Sequence, residues 1–378
     1  MNKYCADLQG GMWLQYSTST SSWYAKPCCM YQTRYPVTAN INQEFWQNSK
    51  ITQQRKDNLA GNELPNDCSW CKNTEQQGNY SRRQAFNDRL GTEMQMPESV
   101  IEIDIQSDFS CNLACRICGP ELSTLWRQVD PQYKLADKKL SIKAKNIDVL
   151  ELLKTVPTHS IKQIHFQGGE PLLSNTHVQI LEQLQQQVDV SQLIVWYHTN
   201  GTQRVSDRVL KFWENFKGIE IYFSMDDLGV RMEYQRWPVQ WKDLHDNALW
   251  YKENLPHNAL LYVERTVGVL NAFWVDELEK WHQQYFCQSK YGDQISLNYH
   301  TCAGTYSLQA TSELYKQAVL KKFDEDHWVH KTFRNLQTDH NTEISALFQH
   351  LNRHDQLRNQ SWKSVYPEFV EWYPDYAV

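Results

Sequence analysis

Three cysteines within ten residues offer the clearest chemistry in the chain. The stretch Ser110-Cys111-Asn112-Leu113-Ala114-Cys115-Arg116-Ile117-Cys118-Gly119 sets thiols at C-x3-C-x2-C spacing, just after the β-branched run Val100-Ile101-Glu102-Ile103-Asp104-Ile105. Thiolates this close, on a loop leaving a strand, can converge on one iron–sulfur cluster, because soft sulfur ligands hold such clusters. A cubane with only three protein ligands keeps one iron open, and an open coordination site is where chemistry can happen. Three unrelated cysteines or a zinc site are the alternatives for the same spacing.

A second group of thiols precedes the triad. Cys68-Ser69-Trp70-Cys71 is a C-x2-C knuckle of the kind that grips one metal, Cys28-Cys29 forms a second pole, and Cys5 is a candidate fourth ligand. Cys28 and Cys29 compete for one place. The region up to about residue 96 reads as polar and loop-rich, with one helix expected over Asn42–Ala60, and small segments of this kind often need a metal staple. An iron–sulfur cluster, a structural zinc and unliganded thiols all remain open for it.

The elements that must position the triad follow from periodicity. Between Val100 and His300, strands are expected at Val100–Ile105, Ile161–Phe166, Leu193–His198, Ile219–Ser224, Leu260–Val267 and Ile295–Tyr299. Helices are expected between them near Glu121–Gln128, Ile147–Thr155, His177–Val188, Asp207–Phe216, Gln240–Glu253 and Val275–Phe286. Strands alternating with helices at this spacing indicate βαβ units and a parallel sheet. From Ala303 to Val378 the pattern is helical, clearest at Leu314–Phe323 and Thr342–Asn359, and this tail is expected to cap the sheet or pack on the N-terminal module.

Composition bounds the function. A chain of 378 residues with 41% hydrophobic and 22% charged residues is ordinary for a globular protein with two or three cores. Net charge of −6 argues against broad nucleic-acid binding, which leaves a basic footprint. No apolar run is long enough to span a bilayer, and the first residues carry neither an apolar signal region nor a myristoylation motif. A reducing cytoplasm is therefore the expected setting, where ten cysteines point to metal or redox chemistry more than to disulfides. Fifteen tryptophans fit either large aromatic cores or a groove for a polymer or peptide.

The triad in this setting resembles the signature of the radical S-adenosylmethionine (SAM) superfamily. That resemblance implies an α/β fold with a partial (βα)6, TIM-like barrel, with catalytic groups at the C-terminal strand ends. It also implies a 4Fe–4S cluster on Cys111, Cys115 and Cys118 that cleaves SAM reductively to a 5′-deoxyadenosyl radical. Gln167-Gly168-Gly169-Glu170-Pro171, at the end of the second strand, resembles the family's GGE motif, in which Gly168, Gly169 and Glu170 contact the SAM methionine. Asn200 of Thr199-Asn200-Gly201, then Ser224 and Asp226 of Ser224-Met225-Asp226-Asp227, are expected to face the SAM ribose or carboxylate. Arg265 offers a guanidinium for that carboxylate or an exterior ion pair. Ile117 stands where many family members carry an aromatic, so adenine packing is expected to differ.

The first ninety residues resemble a Twitch domain, a shortened SPASM module carrying an auxiliary 4Fe–4S cluster. The matching pieces are Cys5, Trp13, Lys26-Pro27-Cys28-Cys29, Phe45-Trp46-Gln47-Asn48-Ser49, Arg55, Ala60-Gly61, Pro65 to Cys71, Glu75, Gly78, Ser81 and Arg82. Here the module precedes the triad, whereas better-known relatives place it after the barrel. Ser361 to Glu368 also looks like the tail of such proteins. The implied organisation is 1–98 auxiliary-cluster domain, 99–302 barrel and 303–378 helical extension. The ligands implied for the auxiliary cluster are Cys5, Cys28, Cys68 and Cys71, with Cys29 as the alternative to Cys28. The implied partners are a flavodoxin- or ferredoxin-type electron donor and a substrate, a peptide first and a small molecule second. A non-catalytic iron–sulfur or zinc protein is the competing class.

Cys302, just past the sixth strand, is a candidate hydrogen-atom donor, although a lone cysteine is more often a small buried hydrophobe. His198 and His300 near strand ends are candidate acid–base groups, with polar filler as the plainer reading. Cys287 reads as core.

Overall fold

The computed structural model describes residues 3–17, 20, 22–76, 78, 80–91, 97–106, 109–132, 149–336 and 341–376. These form two compact units, Met1–Ser110 with Leu135–His198 and Ser206–Glu220, and Cys111–Lys134 with Thr199–Val205 and Ile221–Val378. The architecture is mixed α/β. No helix among the described residues is long and apolar enough to cross a membrane.

In the first unit six strands lie in the order β3-β2-β1-β4-β5-β6. They are β1 (Gly11–Ser17), β2 (Ser22–Lys26), β3 (Tyr35–Val37), β4 (Glu102–Gln106), β5 (Gln163–Gln167) and β6 (Ile194–Thr199). β1, β4, β5 and β6 run parallel, while β2 and β3 add an antiparallel edge. The three expected strands of this unit are all present. The reading of residues 1–96 as loop-rich needs correction. That stretch contributes β1–β3 and helices at Ser49–Leu59, Ser69–Gln76 and Arg82–Leu90, and β1 pairs directly with β4. The single helix expected over Asn42–Ala60 is two elements, a π-turn at Asn42–Trp46 and a helix that Asn48 caps through the amide of Lys50.

Side-chain alternation gives this sheet two different faces. Ile103, Ile105, Ile164, Phe166, Val195 and Tyr197 point one way and are fully buried. The helix Thr176–Gln185 buries His177, Val178, Ile180, Leu181 and Leu184. The rings of Phe166 and Tyr197 stack at 5.2 Å. Each of these large apolar side chains stabilises the unit by about 1.5–3 kcal/mol. The alternate positions, Glu102, Asp104, Gln106, Gln163 and His165, are polar yet also buried. A buried polar face is costly unless its groups find partners.

The second unit holds the end of β7 (Gly218–Ser224), then β8 (Ala259–Val267) and β9 (Ser296–Thr301), the last two in a parallel ladder. The helical tail folds here as Glu313–Lys322, Trp328–Arg334, Asn341–Arg358 and five short helical turns, at Gly304–Tyr306, Leu308–Ala310, Trp362–Val365, Phe369–Trp372 and Pro374–Tyr376. It packs on residues just past β8. Trp274, Tyr315, Tyr366, Phe369 and Trp372 make one aromatic core there, with Tyr315 and Trp372 stacked at 4.6 Å. Many of the tryptophans thus serve burial. Of the helix expected at Ile147–Thr155, Val149–Leu153 is helical, and residues 147 and 148 lie outside the described residues.

Candidate metal centres

The triad loop is built entirely within the second unit and is clamped from three directions. The Ala114 amide donates to the Trp237 carbonyl (2.7 Å) and the Arg116 amide to the Gln235 carbonyl (2.8 Å), so Cys115 sits opposite Arg236. The Trp126 indole N–H donates to the Cys115 carbonyl at 2.9 Å, and Ser123 Oγ donates to the Leu113 carbonyl at 2.6 Å. Cys115 is buried, while Cys111 and Cys118 are partly buried. Two N–H groups aim at the Cys111 sulfur, the Leu113 amide at 3.4 Å and Asn200 Nδ2 at 3.7 Å.

The charge around this loop is unusual. Three guanidiniums surround it, from Arg116, Arg236 and Arg358. Arg116 pairs with Asp355 at 2.6 Å, and Arg236 with Asp226 at 2.6 Å. Arg358 pairs with no carboxylate among the described residues. Its Nη2 donates to the Ala114 carbonyl at 2.5 Å, its plane lies 4.5 Å over the Trp126 ring, and its Nε and Nη1 are buried without partners. Burial and the Arg116 charge pull its pKa down to about 10. The thiol of Cys115 is held below its ordinary value by the hydrogen bond from Cys118 and, against burial, by Arg236 and Arg358, while that same bond and burial push the Cys118 thiol well up. A buried cation with no counterion is strongly destabilising. Three neutral thiols would leave Arg358 in that state, whereas a thiolate-held cluster supplies the missing negative charge. The residues present therefore fit a cluster.

The expected SAM contacts divide. Asn200 joins the triad through Cys111 and through Asn112 Oδ1 (3.0 Å). The next residue, Gly201, has φ +73, and a Cβ there would lie 2.0 Å from the Phe223 ring, so only glycine fits. Asp226 accepts from Arg236 and from the Thr266 amide (2.8 Å), and Ser224 ends β7 partly buried. Arg265 is fully buried, donating to the Val275 carbonyl at 3.0 Å and pairing with Glu279 at 3.1 Å, so its ion pair is an interior one. Ile117 lines a cavity of ≈ 250 Å³ beside Cys118, with Trp126, Tyr306 and His354 also in its wall. Cys302 donates its amide to the Val267 carbonyl at 2.7 Å, and burial pushes its thiol up to about 11. His300 pairs with Glu264 at 2.7 Å.

In the first unit, the glycine pair after β5 is tightly held. Gly168 has φ +90. A Cβ on Gly169 would lie 2.3 Å from the Ser110 carbonyl oxygen, so this turn admits no side chain against the residue that precedes Cys111. The Glu170 amide donates to the same carbonyl at 2.7 Å, and its buried carboxylate accepts from the Leu172 amide at 3.0 Å.

Cys5, Cys28, Cys68 and Cys71 line one small space of ≈ 10 Å³, together with Asp7, Met30, Tyr31, Leu64 and Arg83. Cys29 is not part of that lining. Buried polar side chains around the four cysteines hold their backbone in place. Asn58 Oδ1 accepts from the Cys5 amide at 3.0 Å, and Asn87 Oδ1 from the Ala6 amide at 2.8 Å. Arg55, buried under Trp46, donates to the Leu8 carbonyl at 3.0 Å. Arg83 grips Glu75 through two bonds, at 2.8 and 2.7 Å, tying the knuckle helix to its neighbour, which Ser81 and Gln84 start with a capping box. Burial raises the pKa of all four thiols, that of Cys68 to about 12. Among the described residues no three His, Cys, Asp or Glu side chains are grouped to hold a single metal ion. Four thiols are a donor set that either an iron–sulfur cluster or a zinc ion takes.

The polar sheet face carries a constellation that motif reading passes over. Asp104 and His165 are register partners on β4 and β5, with His165 Nδ1 2.8 Å from Asp104 Oδ1. His165 Nε2 lies 2.6 Å from His198 Nδ1, and the Gln167 amide donates to Asp104 at 2.5 Å. The imidazole of His165 holds the buried Asp104 carboxyl below its usual range. The available signal was polar residues alternating inside apolar strands.

No family model matches the chain, and no curated protein matches it. Among solved structures it is similar to native anSMEcpe with bound AdoMet, at 18% identity and TM-score 0.39, over 58% of this chain and 58% of that one. The same protein with bound AdoMet and the Cp18Cys peptide aligns at 16% identity and TM-score 0.38, over 68% and 61%. Streptococcus suis SuiB bound to S-adenosylmethionine aligns at 11% identity and TM-score 0.36, over 89% and 73%. The aligned part thus spans less than two thirds of anSMEcpe, and likeness this distant says nothing of what the present chain binds.

Proposed function

We propose that this chain is a radical SAM enzyme with a partial (βα)6 barrel and an N-terminal auxiliary-cluster module. The observation that carries the reading is the loop of Cys111, Cys115 and Cys118, whose buried arginines outnumber their carboxylates. Cys111, Cys115 and Cys118 would hold a 4Fe–4S cluster, which when reduced would supply the electron for reductive cleavage of SAM and so the means to take a hydrogen atom from substrate. The chain's own part is positional. Asn200 orients the first cysteine, and the resemblance assigns Gly168, Gly169 and Glu170 to the SAM methionine. Ser224 and Asp226 stand at or just past the end of β7, where the ribose would lie. Cys5, Cys28, Cys68 and Cys71 would hold a second 4Fe–4S cluster. The substrate class we favour is a peptide or protein, and the electron donor a flavodoxin or ferredoxin type.

The test is anaerobic reconstitution, reduction and incubation with SAM. We expect about eight irons per chain, as two cubanes require, and release of 5′-deoxyadenosine. A fully loaded, reducible protein that forms none overturns the enzyme reading.

A further inference from the structure

The cation that lacks a partner comes from far along the chain. Arg358 is the last residue of the Asn341–Arg358 helix, 244 positions from the carbonyl of Ala114 that it grips. It is 7% exposed. The indoles of Trp126 and Trp237 flank its guanidinium, at 4.5 and 5.5 Å to the ring centres, and exclude water from it. Two of its nitrogens are buried with no acceptor. Arg116 and Arg236, by contrast, are each neutralised by an aspartate. One full positive charge therefore stays uncompensated in a low-dielectric pocket directly behind Cys115.

We propose that Arg358 is the counter-cation of the cluster on Cys111, Cys115 and Cys118, and that it sets that cluster's reduction potential. The inference rests on the radical SAM reading only for the presence of the cluster. Reduction adds one electron to an already anionic group, and a fixed buried cation stabilises the reduced form more than the oxidised form. Hydrogen bonding, net charge and solvent exposure are the terms by which a protein tunes such clusters. Arg358 contributes the charge, and its helix makes the C-terminal extension part of the redox centre. The residue is a positioning residue, since it reaches the cluster through the loop backbone.

The experiment is a redox titration of the full-length, anaerobically reconstituted protein, read by electron paramagnetic resonance. Arg358→Met keeps the length and the indole packing and removes the charge. At a fixed potential we expect its reduced fraction to fall at least tenfold relative to the oxidised fraction, a shift of about 59 mV for one electron. Arg358→Lys restores most of the shift. A loaded Arg358→Met protein with the parent potential overturns the proposal. Should that variant not fold, Arg358→Gln carries the test with the same sign, because it keeps a donor for the Ala114 carbonyl and removes the charge. The parent potential in that variant is equally fatal. A parent protein that loads iron only at its N-terminal thiols fails the cluster reading instead, which the iron count distinguishes.

Discussion

The two cysteine centres differ in how the cations beside their sulfurs are balanced. At the triad, the hydrogen bond between Cys118 and Cys115 and the charges of Arg236 and Arg358 hold Cys115 down, while the same bond and burial push Cys118 well up. At the N-terminal site, burial raises every one of the four thiols, with Arg82 opposing it at Cys28 and Cys71. There each guanidinium has its carboxylate, Arg82 with Asp7 at 3.0 Å and Arg83 with Glu75 at 2.7 Å, whereas Arg358 at the triad has none among the described residues. A buried cation without a carboxylate suits a partner group that must accept charge. Cysteine count alone does not tell the two centres apart, whereas the balance of charge behind the sulfurs does.

The comparison breaks most sharply if each set of ligands can be removed without the other. Cys115→Ala is expected to lose about four of about eight irons and all 5′-deoxyadenosine, because one cubane goes with it. Cys68→Ala should lose a similar number of irons and keep the SAM-dependent change at the triad. Iron analysis of both variants checks this, and equal iron in all three proteins would refute two separate centres.

Next in size are the glycines that let backbone approach. Gly169→Ala and Gly201→Ala each force a methyl to within 2.3 Å of a neighbour, the Ser110 carbonyl or the Phe223 ring. Overpacking of this kind costs about 1–3 kcal/mol, with added strain at Gly201 from its positive φ. Urea unfolding should show midpoints lowered in both variants.

Acid should weaken both units through buried neutral histidines. Burial depresses His177 to about 4 in the first unit, and burial with nearby Arg358 depresses His354 to about 2 in the second. A base with a lowered folded pKa favours folding above its unfolded value and loses that contribution as pH falls. The loss therefore begins near pH 6.5 and runs to the folded value, which for His177 amounts to about 3 kcal/mol. Urea midpoints at pH 7 and pH 5 measure it, and His177→Asn should flatten the first unit's share. The smallest effect belongs to the thiol outside the N-terminal space. Cys29→Ala should leave the iron content unchanged, while Cys28→Ala lowers it.

Much of the scaffold was legible because it repeats locally. All six expected strands and both main tail helices occur, since alternation and helical periodicity need only neighbouring residues. β1 was not read, because in Met12-Trp13-Leu14-Gln15-Tyr16 aromatic and apolar side chains occupy both faces and blur the alternation. The triad and the glycine pair were legible because their spacing is short. Arg236 and Arg358 were not, for their meaning depends on a loop more than a hundred residues away that only folding brings near. Asp104, His165 and His198 lie between these cases. Each is a polar residue inside an apolar strand, yet only the register makes them a chain.

The most direct test of the account uses Cys68→Ala/Cys71→Ala, in which the triad alone can hold a cluster, reduced and examined by electron paramagnetic resonance with and without SAM. The account predicts a cluster signal that changes shape on adding SAM, because the ligand takes the open iron. A strong signal identical in both samples would contradict it.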